Sequence, residues 1–342
     1  MVKHPVLIVG VGSIGERHVR CFRQTRRAKV GIVEPNASVR SAVAKRYEID
    51  RAYETLDDAL NDNAWSTVVI CTPAQTHISL ANQCADASLP VLIEKPLAIS
   101  THEVESLVLR GDSTRIGVAY VHRAHPALAA MRKALCVGQY GQPLQVVATC
   151  GQHFPTYRPA FASTYYTQHA TGGGAIQDAL THVFNSSEWL VGPITRIAVD
   201  AQHLALPDVA VEDTVHAIAR HGEVMASYAL NQHQAPNELT ITVICERGTL
   251  RFEMHRSRWR CQTDPKSGWT DHDVPIGSRD TLFERQAQAW LNVVEGTSPP
   301  LCTLREGIQT LAVNEAALWS VDNESAWREV NAASISTFES MA

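Results

Sequence analysis

The chain carries, close to its start, a glycine-rich turn whose spacing suits phosphate binding. Residues 10–15 read GVGSIG, which fits GxGxxG, follows the apolar run Val6 to Val9 and precedes an amphipathic stretch. In that context Gly10 permits a tight turn, Gly12 lets the backbone approach a pyrophosphate, and Gly15 lets a helix pack closely on the strand. The amides that open the helix would then face the phosphates. The residues predicted to bind a dinucleotide here are Gly10, Gly12, Ser13, Ile14 and Gly15.

A carboxylate stands where the adenosine ribose of such a cofactor would be recognised. Glu34 lies 19 residues beyond Gly15, at the end of a second predicted strand from Lys29 to Val33. A carboxylate at that point accepts hydrogen bonds from ribose hydroxyls and repels a 2′-phosphate. The expected cofactor is therefore NAD, although Arg17 and Arg20 keep NADP open.

Polar residues also follow the third and fourth predicted strands, Thr67 to Cys71 and Val91 to Ile93. The carboxyl ends of parallel strands meet at the edge of a sheet where ligands bind. Pro96 disfavours a helical backbone at Lys95 and so aims this lysine at the cleft, where it could polarise a substrate oxygen. A solvated Lys-Pro loop is the alternative. The further residues predicted to contact the cofactor are Thr72, Pro73, His77, Glu94 and Lys95.

An Asp/His pair follows three consecutive glycines, residues 172–174, in the second half of the chain. Asp178 and His182 are four apart in a helix predicted from Ile176 to Leu190, so both should project from one face. An aspartate beside a histidine orients the ring and raises its basicity, as a general base requires. Such pairs also stabilise ordinary helix surfaces, which is the alternative.

The elements around these residues predict an α/β fold with two domains. Residues 1–122 alternate buried strands and helices, which predicts an N-terminal Rossmann domain with a doubly wound parallel sheet. Residues 123–331 predict a C-terminal α+β domain with a large open, mostly antiparallel sheet, because strand follows strand from Arg196 to Thr263. Residues 332–342 are predicted to be a frayed tail.

Composition excludes several classes of function. The chain has 342 residues, a net charge of −5 and a pI near 6.3, so neither nucleic acid nor an anionic membrane is an expected partner. Its eight cysteines form no CxxC pair and its histidines form no metal-binding tract, so we expect reduced thiols and no metal. We find neither a signal peptide nor an apolar run of membrane-spanning length, so the expected location is the cytoplasm.

Taken together, these motifs resemble the Gfo/Idh/MocA oxidoreductase family, which includes glucose–fructose oxidoreductase and inositol dehydrogenases. The resemblance covers nearly the whole chain, in the family's order and approximate spacing. It implies that Lys95, Asp178 and His182 are the catalytic lysine and its paired aspartate and histidine. The substrate-binding residues expected from it and from the polar segment after residue 150 are Lys95, Arg123, Tyr157, Arg158, Asp178 and His182. Asn185 departs from the family, since many relatives have an acidic residue there.

The expected activity is an NAD(P)-dependent dehydrogenase or reductase that transfers a hydride between nicotinamide C4 and a secondary alcohol or ketone of a sugar, cyclitol or sugar derivative. Relatives also suggest two alternatives: a glycosidase-type enzyme with tightly bound NAD, or a non-enzymatic dinucleotide sensor. The three retained catalytic residues argue against the sensor. A homodimer or homotetramer formed through the C-terminal sheet is expected from the same resemblance.

Overall fold

The structure, a computed structural model, describes residues 3–62, 64–109 and 115–331. The tail predicted at 332–342 lies outside these residues. Two compact units make up the chain. The first comprises the described residues within Met1–Ala124 and Gly277–Gly307, and the second those within His125–Ile276 and Ile308–Ala342.

The first unit contains a six-stranded parallel sheet in the order β3-β2-β1-β4-β5-β6. This is the doubly wound order of a dinucleotide-binding sheet. The strands are β1 His4–Val9, β2 Ala28–Val33, β3 Ala52–Tyr53, β4 Thr67–Ile70, β5 Val91–Ile93 and β6 Ile116–Val118. Most of their residues are apolar and buried, as strands covered by helices on both faces require.

Helices connect these strands, and some of them begin next to a residue whose side chain caps the helix. The helices are α1 Ser13–Gln24, α2 Ala37–Arg46, α3 Leu56–Asn61, α4 His77–Asp86, α5 Glu105–Val108 and, later in the chain, α9 Arg279–Val294. The side chain of Asn36 accepts hydrogen bonds from the amides of Ser38 and Val39 and so caps the start of α2.

The second unit is built on a nine-stranded sheet in the order β14-β13-β12-β11-β7-β10-β9-β8-β15. Its strands are β7 Pro143–Gly151, β8 Arg196–Gln202, β9 Thr214–His221, β10 Val224–Asn231, β11 Glu238–Cys245, β12 Gly248–Glu253, β13 Arg258–Gln262, β14 Thr270–Asp273 and β15 Arg328–Glu329. The sheet is antiparallel except that β7 pairs in parallel with β10. The predicted fold class is therefore confirmed.

One face of this second sheet carries the core of the unit. Buried and exposed residues alternate along β9 and β10, so one face packs inward and the other faces outward. The helices of the unit are α6 Pro126–Cys136, α7 Phe154–Tyr157, α8 Thr181–Val191 and α10 Leu304–Asp322, which begins in the first unit. Residues of α6, α8 and α10 join the buried sheet residues in one apolar cluster.

The division into units differs from the predicted boundary at 122/123 because residues 277–307 return to the first unit. Helix α9 packs on α1, where Asp280 pairs with Arg20 and the side-chain oxygen of Gln288 accepts a hydrogen bond from Arg27 at 2.7 Å. The indole of Trp290 donates to the Thr67 hydroxyl at 2.9 Å. The residue pattern of each single helix or strand does not reveal that a segment so distant in sequence belongs to the first unit. Within the described ranges, no helix is both long and apolar enough to cross a membrane.

Candidate active site

The glycine turn between β1 and α1 has the geometry that its spacing predicts. Gly10 has a φ of +81°, which favours glycine. A Cβ at Gly15 would lie 1.8 Å from the carbonyl oxygen of Gly10, so helix and strand approach more closely than any side chain permits. By contrast, a Cβ at Gly12 would meet no atom within 4 Å. The turn therefore packs tightly inward at Gly10 and Gly15 and stays open at Gly12.

The opening of α1 provides the groups that a pyrophosphate needs. No side chain caps this 12-residue helix, and its N-cap residue Gly12 and first residue Ser13 are exposed. Amides in the first turn of a helix have no partner within the helix and attract anions. The open space at Gly12 thus fits a dinucleotide: residues 12–15 would hold its phosphates through backbone amides.

Glu34 follows β2 and reaches back to the glycine turn. One carboxylate oxygen accepts the Val11 amide at 3.1 Å, and the other accepts the Asn36 amide at 3.0 Å. The side chain of Arg40 donates to the carbonyl of Glu34 and pairs with Glu54 at 3.2 Å. The half-buried carboxylate is therefore fixed beside the turn, with lone pairs left for ribose hydroxyls.

The loop after β4 is braced from inside by His77. Its Nδ1 lies 3.0 Å from the carbonyl oxygen of Pro96 and 3.3 Å from that of Leu97, while its Nε2 lies 2.8 Å from that of Thr72. The ring is only 1% exposed. Because burial lowers the pKa of His77, its neutral ring has one N–H and donates to one of these carbonyls. His77, which the sequence predicts to contact the cofactor, therefore lies inside the loop and positions it. Pro73 is exposed and Thr72 half-buried at the same edge.

Glu94 and Lys95, which follow β5, differ in environment. The Glu94 carboxylate is buried: Oε1 lies 2.7 Å from Nε2 of His18 on α1, and Oε2 accepts the Lys95 amide at 3.1 Å. Lys95 is half-buried, and its peptide bond to Pro96 is cis. The Glu94 carboxylate is thus an internal anchor for the residue that follows it, while the cofactor contact predicted for Glu94 stays a prediction.

Arg123, which the sequence predicts to line a substrate cleft, contacts other residues of the first unit. It is 2% exposed. Its guanidinium donates to Glu306 at 2.5 Å and to the Leu301 carbonyl at 3.0 Å, both within the first unit. A buried arginine committed to a carboxylate and a carbonyl serves the packing of that unit. Its position after a strand end could not distinguish this role from substrate binding.

In the second unit, the buried carboxylate of Asp178 is the centre of a polar cluster. The Tyr165 hydroxyl donates to Oδ1 at 2.6 Å, and the Arg158 guanidinium donates to Oδ2 at 3.2 Å. Asp178 is 1% exposed, and its charge raises the pKa of Arg158. Tyr157, one residue before Arg158, is 47% exposed. The structure therefore brings together Asp178 and Arg158, two of the predicted substrate residues, with Tyr165.

The sequence predicts one continuous helix that carries Asp178 and His182, but in the structure only its second part is an α-helix. Residues Ile176–Leu180 form a π-helix, and α8 begins at Thr181. A π turn has more residues per turn, yet it still places positions four apart on nearly the same side. His182 lies half-buried in the first turn of α8. Asn185, where the sequence departs from the family, is buried and donates to the Thr310 hydroxyl at 2.9 Å.

Glu212 is a site residue that sequence analysis missed. Its carboxylate accepts the Ile176 amide at 2.8 Å and lies 2.6 Å from Nε2 of His169, so it fixes the start of the π-helix. This hydrogen bond raises the pKa of His169. A Cβ at Gly174 would lie 2.6 Å from this carboxylate, so the glycine leaves room for Glu212. The available signal was a Glu-Asp pair inside the apolar run of residues 209–215.

The doubly wound sheet, the open glycine turn and Glu34 define an NAD-binding Rossmann oxidoreductase. Residues 5–120 match the model of the oxidoreductase family with an NAD-binding Rossmann fold, and residues 128–251 match the GFO/IDH/MocA C-terminal domain. The chain belongs to the Gfo/Idh/MocA family of oxidoreductases.

Named relatives are dehydrogenases of cyclitols and sugars. The chain is 26% identical over 303 residues to an inositol 2-dehydrogenase of Corynebacterium glutamicum, covering 85% of this chain and 86% of that protein. It is 24% identical over 333 residues to D-apiose dehydrogenase of Paraburkholderia graminis, covering 92% and 86%. Levoglucosan dehydrogenase in complex with NADH has the same fold, with a TM-score of 0.84, 21% identity and coverage of 96% and 99%.

Proposed function

We propose that the protein is an NAD-dependent dehydrogenase or reductase that interconverts a secondary alcohol and a ketone of a sugar, cyclitol or sugar derivative. The observation that carries this proposal is the turn that is closed at Gly10 and Gly15 but open at Gly12, with Glu34 anchored beside it. The named relatives, which are inositol and apiose dehydrogenases, support the substrate class.

NAD is favoured over NADP by the groups around Glu34. A fixed carboxylate repels a 2′-phosphate, and Arg40 is already engaged by Glu54 and by backbone carbonyls. Arg17 and Arg20, which kept NADP open in the sequence, both pair with Asp280 of α9. The cations near the turn are thus already committed to protein partners.

The catalytic roles follow the family resemblance. When bound, NAD would supply the two-electron chemistry, as the acceptor of a hydride from the alcohol. His182 accepts the hydroxyl proton as general base, and Lys95 stabilises the charge that develops on the oxygen. Asp178 orients the side chains of Tyr165 and Arg158, which donate hydrogen bonds to its carboxylate. Tyr157 and Arg158 are proposed to contact substrate hydroxyls.

The outward face of the second sheet is proposed to form a homodimer or homotetramer. Exposed apolar side chains lie on neighbouring strands there: Ile218 on β9 is 50% exposed and Met225 on β10 is 53% exposed. Exposed apolar side chains grouped on one sheet face favour a protein interface.

The test is a panel of sugars, inositols and sugar derivatives with NAD and NADP, followed at 340 nm for wild type, Lys95→Ala and His182→Ala. We expect wild type to turn over at least one panel member, and each variant to lose about 10³-fold in kcat while still binding NADH. Normal turnover by both variants would refute the catalytic assignment. Stoichiometric cofactor that survives dialysis, with no net change at 340 nm, would contradict dehydrogenase activity.

A further inference from the structure

We propose that two buried histidines, His18 and His77, hold the backbone at Lys95 from both sides and are positioning residues for catalysis. The inference rests on the proposed function, because it concerns how the candidate catalytic lysine is aimed. All the residues that carry it belong to the first unit.

On the amino-terminal side, His18 acts through Glu94. Nε2 of His18 lies 2.7 Å from one Glu94 oxygen, and the other oxygen accepts the Lys95 amide at 3.1 Å. The two side chains are 1% and 7% exposed, so this chain of contacts is shielded from water. Helix α1, which opens at the glycine turn, is thereby joined to the lysine.

The His18 ring is fixed by apolar packing and has one polar anchor. Phe283 meets it edge-on with centroids 5.7 Å apart, and Phe22 packs at 6.2 Å. Within the described part of the chain, Nδ1 has no hydrogen-bond partner. The contact with Glu94 therefore determines the orientation of the ring, and it requires the ring proton to be on Nε2.

On the carboxyl-terminal side, His77 acts directly. Its Nδ1 lies 3.0 Å from the carbonyl oxygen of Pro96, the residue after Lys95, and its Nε2 lies 2.8 Å from that of Thr72. The ring thus lies between the loop after β5 and the loop after β4. Because burial lowers the pKa of His77, the neutral ring has a single N–H and donates to one of these two carbonyls. The Lys95 backbone is held between its own amide, which donates to Glu94, and the neighbouring Pro96 carbonyl, which contacts the His77 ring.

This arrangement is better explained by orientation than by stability. Buried ionisable groups can often be replaced by apolar side chains without loss of stability. A buried pair of a histidine and a carboxylate, such as His18 and Glu94, is therefore a poor means of packing a loop. Hydrogen bonds, unlike apolar contacts, fix direction. Because misplacing a catalytic group by about 1 Å can cost about 100-fold in rate, a fixed amide at Lys95 affects turnover.

The test compares His18→Leu, which removes the donor, with His18→Gln, which retains an N–H, and with Glu94→Gln, which keeps the volume. We expect kcat to fall about tenfold or more in His18→Leu and Glu94→Gln, with the KM for NAD and the Kd for NADH within about threefold of wild type. His18→Gln should recover most of kcat. The matched control is Thr67→Val, which loses buried hydrogen bonds at the opposite end of β4.

A structural role alone predicts that the variants follow Thr67→Val, with lower Tm and unchanged kcat, and that result would overturn the inference. A second readout does not depend on turnover: the rate at which an amine-reactive reagent labels Lys95, measured by mass spectrometry. We expect a change of about threefold or more in His18→Leu and none in Thr67→Val. Altered labelling without wild-type turnover on the panel would refute the proposed function while supporting the positioning role. Unaltered labelling and kcat would refute the positioning role alone.

Discussion

The carboxylate of Asp178 accepts hydrogen bonds from two side chains that the sequence analysis did not pair with it. Tyr165 and Arg158 occupy its two oxygens from a segment that precedes the glycines. Its charge is therefore partly balanced by a guanidinium before any substrate arrives. Asp178 is accordingly an organiser of surrounding donors as well as a neighbour of His182 in sequence.

Tyr165→Phe tests this organisation. It removes a hydrogen bond to a buried carboxylate, and such charge-assisted bonds contribute about 1.5–3 kcal/mol. We expect kcat/KM for the best panel substrate to fall about tenfold or more, with the Kd for NADH unchanged. Tyr53→Phe removes a similar phenol–carboxylate bond, to Asp62 at the surface, and should leave kcat/KM unchanged. An unaffected Tyr165→Phe enzyme would show that Asp178 needs no such support.

Glu34→Ser tests the cofactor preference. Removing the carboxylate eliminates both the ribose acceptor and the repulsion of a 2′-phosphate, so the NAD/NADP ratio of kcat/KM should fall about tenfold or more. Glu54→Gln removes one charge from the Arg40 pair without touching the glycine turn, and should retain the preference for NAD. A ratio that is unchanged in Glu34→Ser would contradict the role given to Glu34.

Residue types at strand ends predicted where polar groups cluster, but not which way they face. Glu34 and Glu94 both follow buried strands. Glu34 remains half-buried beside the turn, whereas Glu94 turns inward to His18. Glu94 turns inward because of His18, which is 76 positions away in the sequence, and the local sequence around Glu94 does not reveal so distant a partner.

At the scale of elements, substitution by alanine should affect stability at one glycine of the turn and cofactor binding at another. A Cβ at Gly15 would collide with the Gly10 carbonyl, so Gly15→Ala should lower the free energy of unfolding by about 3 kcal/mol. A Cβ at Gly12 meets open space, so Gly12→Ala should fold normally but bind NADH about tenfold more weakly. Chemical denaturation and NADH fluorescence titration measure both. A stable Gly15→Ala protein would contradict the close packing of α1.

Element prediction succeeded where one physical signal dominated. Runs of apolar residues located β1, β2, β4 and β5, because strands buried on both faces must be apolar throughout. The two-residue strand β3 and the polar strand β14, whose sequence is TDHD, have no such signal. The π-helix at 176–180 depends on the Glu212 carboxylate at its start, which sequence periodicity does not show.

At the scale of the whole molecule, the outward sheet face predicts association. Ile218→Arg places a charge in the centre of the proposed interface and should shift the protein toward monomer, as measured by light scattering after size-exclusion chromatography. Leu109→Arg changes a leucine of the first unit that is more exposed, 76% against 50% for Ile218, and should leave the mass unchanged. A monomeric wild type, or an Ile218→Arg protein with wild-type mass, would contradict the proposed interface.

His221 makes stability depend on pH. Burial lowers its pKa from 6.5 to about 4, with Nδ1 bonded to the Gly192 carbonyl and Nε2 to the Tyr228 hydroxyl. The unfolded chain therefore binds more protons between pH 6.5 and 4, so stability falls as the pH falls through that window. His221→Gln removes this titration, and its free energy of unfolding should fall less steeply there, by about 1.4 kcal/mol per pH unit. Parallel curves for the two proteins would contradict this assignment.

The return of residues 277–307 to the first unit has a consequence for biosynthesis. Ala287, Trp290 and Leu291 of α9 share a core cluster with the strands of the Rossmann sheet. A ribosome that has made only residues 1–124 has therefore not yet delivered part of that core. The first unit is completed only after the segment that ends at Gly307 emerges, so a fragment cut at the apparent domain boundary should be trapped by chaperones or degraded rather than accumulate.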